Sequence, residues 1–217
     1  MTQETKAIFH VHTNYSRDAS ITPKQLVDFG IANNIKVMAI TDHNEIQGGL
    51  ETKQIAPFEI IIGEEIQTKE GGEIIGLFLK EKINKEMPVL ETIAEIRKQD
   101  GLVYLPHPFD RIRRRQFSLK NLESIVEQVD IIETFNARNL KQSANIFAAE
   151  FAKKYNKISC VGADAHFLNE LETIISLNPF SDKQGLLESL KSAKFQTRSN
   201  PIFVHFLSLI FKIKSKL

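Results

Sequence analysis

Five of the six histidines in this 217-residue sequence stand in four short motifs: His10-x-His12, Thr41-Asp42-His43, Pro106-His107-Pro108 and Asp164-x-His166. Imidazole and carboxylate together suit zinc, manganese or iron. On a regular strand, side chains repeat every two residues, so His10 and His12 share a face, as do Asp164 and His166. Carboxylates extend the set. Glu64 and Glu65 end a third apolar run, and Asp18 follows the His-x-His loop. A carboxylate can bridge two cations where imidazole cannot. Two metals about 3.5–4 Å apart can clamp a phosphoryl group and ionise a water near neutral pH. That chemistry needs no protein nucleophile. The sixth histidine, His205, lies in a C-terminal tail without such a setting.

Each motif follows a run that reads as a strand. These runs are 7–12, 36–41, 58–65, 73–79, 102–105, 130–135 and 158–162. Between them lie helical patterns. Thr22 reads as an N-cap with Pro23 at the first helical position. A helix starts near Pro88 with Leu90, Ile93 and Ala94 at helical spacing, another spans about 119–126, and a third spans 142–155. Gly71-Gly72 reads as a hairpin turn and does not match a phosphate-cradling loop. Strands alternating with helices predict βαβ units with parallel pairing, and seven strands favour a barrel over an open sheet. Barrel strands deliver their ends to one rim, so ligands remote in sequence can meet there. The expected organisation is one domain over residues 1–200, with a tail over 201–217.

The bulk numbers agree with that frame. Hydrophobic residues make up 42% and charged ones 25%, and the net charge is +1. This balance does not point to a broad nucleic-acid-binding surface, and no stable duplex binding is expected. The lone cysteine, Cys160, rules out an internal disulfide framework and reads as a small core residue. No secretory signal is visible near Met1, and a reduced, cytoplasmic compartment fits.

The ordered motifs resemble the PHP (polymerase and histidinol phosphatase) superfamily. The resemblance rests on His10-x-His12, Asp18, Thr41-Asp42-His43, Gly63-Glu64-Glu65, His107-Pro108 and Asp164-x-His166, and covers roughly residues 7–170. It implies an α/β fold, a distorted seven-stranded (β/α)7 TIM-like barrel, with two or three divalent ions at the C-terminal ends of the strands. Carried over, His10, His12, Glu65 and Asp164 hold the first metal. Glu65 bridges to a second metal shared with His107. Asp18, His43 and His166 form a third site. Members of the family often supply a strand-four histidine to the second metal. Here Glu73 takes that position, a carboxylate that manganese or iron accepts readily.

Other residues should surround the centre. The loop after His107 carries Arg113, Arg114 and Arg115, and Arg138 follows the sixth strand. Arginine forks match phosphate oxygens, so Arg113, Arg114 and Arg138 are candidates for the substrate phosphate. Glu133 and Asn136 should face the pocket. Asp42 should point away from His43 and orient a ligand or loop instead.

The leading expectation is a metal-dependent phosphoesterase, with Asp164, Glu65 and His107 central to catalysis. Its substrate would be a phosphomonoester or phosphodiester, either a small phosphorylated molecule or a short oligonucleotide. A C–N amidohydrolase is the alternative, but no strand-end lysine stands ready to bridge its metals. A non-catalytic metal-binding regulatory domain is the third. The tail, apolar with Lys212, Lys214 and Lys216, reads as a helix docked on the barrel or as a contact for a membrane surface or partner. Without those lysines, 25 basic residues remain against 27 acidic.

Overall fold

The seven apolar runs form seven strands: β1 (Thr5–Val11), β2 (Val37–His43), β3 (Glu59–Gln67), β4 (Glu73–Leu77), β5 (Leu102–Leu105), β6 (Ile131–Asn136) and β7 (Ile158–Gly162). The structure, a computed structural model, describes residues 4–113, 116–201 and 203–214. Helices α1 (Pro23–Ala32), α2 (Gln47–Ile55), α3 (Val89–Lys98), α4 (Leu119–Ile125) and α5 (Gln142–Lys154) pack around them. Thr22 caps α1 as expected: its side chain accepts the Gln25 N–H, and Pro23 opens the helix.

Two further strands, β8 (Ile174–Leu177) and β9 (Lys194–Gln196), flank helix α6 (Lys183–Lys191). Helix α7 (Phe203–Lys214) ends the described chain.

The sheet runs β7-β6-β5-β4-β3-β2-β1-β8-β9 and nearly closes into a distorted barrel. One edge of β1 is divided. Its first half, Thr5 to Ala7, pairs antiparallel with β8. Its second half meets the chain just beyond β7: Ala163 N–H donates to Phe9 O and His12 N–H to Ala165 O, both at 2.9 Å. This second contact closes the seven-stranded ring.

All-parallel pairing does not hold. β4 runs antiparallel to both β3 and β5. The cause is the short Gly71-Gly72 turn, which is too brief for a crossover helix. The reversal has a functional consequence, because the first residue of β4, Glu73, lands on the rim where the other strands end.

Alternation builds the core. Ala7, Phe9, Val37, Ala39, Ile61, Ile75, Tyr104, Ile131 and Cys160 fill the barrel interior. The outward residues Ile8, Met38, Ile40 and Ile60 pack under Leu26 of α1. Ile74, Val103 and Ile132 pack with Ile93 and Ile96 of α3.

Candidate metal centre

Three of the expected ligands sit on left-handed backbone: His10 (φ 63°), His107 (φ 27°) and Asp164 (φ 47°). Such backbone costs on the order of 1–3 kcal/mol at a non-glycine residue and persists where surrounding structure enforces it. At His10 it accompanies a register shift between Ile8 and Val11. His10 and His12 therefore share one space through an irregular strand, and simple pleat alternation does not account for it. Their ring centroids lie 5.1 Å apart.

Glu65 is the hub. Its Oε1 lies 2.8 Å from His107 Nε2. Its Oε2 lies 3.0 Å from His43 Nδ1, 3.4 Å from His12 Nε2 and 3.5 Å from His10 Nε2. Asp164 Oδ1 is 3.4 Å from His12 Nε2 and 3.7 Å from His10 Nε2. Asp18 Oδ1 lies 3.6 Å from His166 Nε2 and 3.8 Å from His43 Nε2. Glu73 spans the remaining gap, 3.8 Å from His107 Nε2 and 3.7 Å from His43 Nδ1. All nine residues named as metal ligands thus converge on one rim.

Neighbouring groups hold the rings. His10 Nδ1 donates to Glu133 Oε1 at 2.8 Å, which turns Nε2 toward Glu65 and Asp164. Glu133 also accepts from Tyr104 Oη, the His107 backbone N–H and Asn136 Nδ2. One buried carboxylate therefore orients His10 and fixes the strained backbone at His107. Gly162 makes room for it: a Cβ there would lie 1.7 Å from Glu133 Oε1. Sequence placed Glu133 and Asn136 in the pocket without a role, because a strand-end Glu looks the same whether it binds or braces.

His166 Nδ1 donates to the Asp164 carbonyl at 2.9 Å. Asp42 points away from the centre, as expected. It accepts from Thr13 N–H, Thr13 Oγ1 and Ser16 Oγ. Ser16 Oγ in turn accepts from His12 Nδ1 at 3.2 Å. The loop residue Ser16 thereby links Asp42 to a ring of the centre.

Burial opposes charge throughout the site, and the neighbours decide which groups resist it. For His12 burial wins and depresses the ring. For His166 burial and Arg138 push the ring well below its usual value. For His43, Glu65 and Asp18 outweigh burial and raise it to about 10. Asp164 and Glu65 stay well below the usual carboxylate range despite burial. Arg113 and His10 favour the Asp164 anion, and His43 and His10 that of Glu65.

The residues fit a divalent cation. His10 Nε2, His12 Nε2 and Asp164 Oδ1 are buried and make no hydrogen bond among the described residues. With both Nδ1 atoms committed elsewhere, the Nε2 atoms are the free donors. His10, His12 and Asp164 each offer an atom within 4.8 Å of the others. The same holds for His10, Glu65 and His107, for His12, His43 and His166, and for His43, Glu65 and Glu73. This nitrogen and oxygen set suits zinc, manganese or iron.

Two cavities meet at His43 and Asp18. The larger, about 560 Å³, is lined by Tyr15, Arg17, Asn44 and Glu73 among others. The smaller, about 220 Å³, runs between Arg113, Arg138, Leu140, His166 and Ser208. Arg113 forms an ion pair with Asp164 Oδ2 and another with Asp110 at 3.1 Å. Arg138 is buried, 3.2 Å from Glu170 Oε1, and donates to Val204 O and Ser208 Oγ of α7. Arg114, the third candidate for phosphate, lies outside the described residues.

Comparison with known proteins agrees with this geometry. The chain is 40% identical over 170 residues to an uncharacterised protein of Methanocaldococcus jannaschii, covering 76% of this chain and 67% of that one. A two-domain protein from Bacteroides vulgatus, containing a predicted PHP-like metal-dependent phosphoesterase, superposes with a TM-score of 0.72 at 17% identity. That match covers 91% of this chain and 66% of the other. Endonuclease Q, solved with a 27-mer duplex bearing an abasic lesion at its active site, gives a TM-score of 0.62 at 12% identity, over 88% of this chain and 57% of its own. The model of the PHP domain matches residues 9–161, the stretch that carries seven of the nine converging residues, all but Asp164 and His166, so the chain belongs to the PHP family.

Proposed function

We propose that the protein is a metal-dependent phosphoesterase that hydrolyses a phosphomonoester or phosphodiester with an activated water. One observation carries the reading. A single buried carboxylate, Glu65, lies within 3.5 Å of nitrogen atoms from four histidines. That arrangement is suited to a ligand shared between cations. When bound, divalent ions supply Lewis acidity at phosphoryl oxygens and lower the pKa of an attacking water.

The chain's own residues do the rest. His10, His12, Glu65 and Asp164 form the first site, Glu65, Glu73 and His107 the second, and Asp18, His43 and His166 the third. Glu133 and Ser16 fix the rings. Arg113 stands against Asp164, at the wall of the smaller cavity, where its guanidinium can take a phosphate oxygen and offset developing negative charge. Arg138 holds the opposite wall and positions α7. The substrate is a small phosphorylated molecule or a short oligonucleotide.

Phosphate release from a panel of monoesters and diesters, with manganese, zinc or iron supplied, tests this. Wild type should turn over at least one of them. His10→Ala and Asp164→Ala should each abolish turnover with an unchanged circular dichroism spectrum, and Arg113→Ala should raise KM. Full activity in both ligand variants, or no release from any ester, overturns the reading.

A further inference from the structure

Helix α7 has two faces of different character. The inner face is fixed: Val204 is fully buried, and Val204 O and Ser208 Oγ both accept from Arg138. The outer face cannot rotate inward without breaking those contacts. It exposes Phe203, Phe206, Leu209, Ile210 and Ile213, with Phe206 at 68% and Ile213 at 56%. These positions recur at helical spacing and make one stripe.

We propose that this stripe seats the protein on an anionic membrane surface, with α7 lying in the plane of the headgroups. The charge pattern selects that occupant. In the sequence, Lys212, Lys214 and Lys216 fall among and just after these residues, and no acidic residue occurs from Pro201 to Leu217. A second copy of this helix would bring those lysines no acid to pair with. Anionic headgroups would match them, each lysine adding to surface attraction. An apolar helical stripe in a lysine-rich, acid-free sequence also matches helices that lie at the interface. Twelve residues of helix extend only about 18 Å. No helix among the described residues is long and apolar enough to cross a membrane. Leu140 and Ser208 also line the smaller cavity, so its mouth opens beside the attached helix.

Vesicle flotation of the full chain tests this without reference to catalysis. Phosphatidylcholine vesicles are compared with vesicles that also contain phosphatidylglycerol. The protein should float with the anionic vesicles and far less with the neutral ones. Lys212→Gln, Lys214→Gln and Lys216→Gln combined should weaken partitioning on the order of 100-fold. Phe206→Glu with Ile213→Glu, both at exposed positions, should weaken it at least tenfold. Equal recovery from both vesicle types, or no flotation, overturns the proposal. So does a dimer by sedimentation equilibrium that the Phe206→Glu/Ile213→Glu variant abolishes while vesicles bind neither form.

Discussion

Glu64 and Glu65 are neighbours of the same residue type on one strand, yet they live in opposite environments. Strand register pairs Glu65 with His43 and Glu64 with Asp42. The first pair faces the rim's interior and the second faces away. Glu65 meets four histidines and stays ionised against burial. Glu64 is also buried, but it has one donor, the Ile83 N–H at 2.8 Å, and burial raises it to about 7. The difference shows that burial alone does not make a ligand. A carboxylate becomes one where the fold gives it cationic company, and β-strand alternation decides which of two adjacent acids receives it.

The strongest way to break the comparison is to neutralise each acid in turn. Glu65→Gln should lower turnover at least about 1000-fold, equivalent to roughly 4 kcal/mol of transition-state stabilisation. It should also lower metal content after dialysis, read by elemental analysis. Glu64→Gln should keep both within a factor of a few. Comparable losses in the two variants would show that the rim does not distinguish its faces.

Much of this was legible in the sequence. The seven strands follow from apolar runs, and eight of the converging residues from the chemistry near their ends; Glu73 comes only from the family resemblance. Three things were not. The reversal of β4 depends on a four-residue decision at Lys69–Gly72, and the sequence marks the turn but not its effect on pairing. The bulge at His10 is enforced by the closure of β1 onto 163–165, a contact between segments about 150 residues apart in the chain. Helices α2 and α6 and strands β8 and β9 were missed. Gly48 and Gly49 weaken the helical signal of α2, and the last two strands span only four and three residues.

The next effect is on stability and separates the two acids by pH. The free Glu64 carboxyl titrates near 4.5 and the folded one at about 7. The folded state therefore holds this proton more tightly. Its stabilising contribution is full below pH 4.5, declines as the pH rises, and is lost above about 7. Glu64→Gln carries a permanently neutral side chain, so it should erase that part of the decline, worth about 3 kcal/mol at most. Denaturant unfolding of both proteins at pH 5 and pH 8 measures it. An identical pH slope in variant and wild type would place the titration elsewhere.

The smallest effect probes whether the outward face is silent. Asp42 shares that face with Glu64, yet it reaches the centre through Ser16 and His12 Nδ1. Ser16→Ala removes the acceptor for that ring proton and should weaken metal binding about tenfold, the low end for a group that orients a ligand. Thr13→Val is the matched control. It takes one donor from Asp42 without touching a histidine of the centre, so it should lower stability and leave metal affinity unchanged. If calorimetric titration with manganese shows equal weakening in both, Asp42 acts by holding the loop alone. If only Ser16→Ala weakens binding, the outward acid works through the loop residue Ser16 on the inward site, and what separates it from Glu64 is a single hydroxyl.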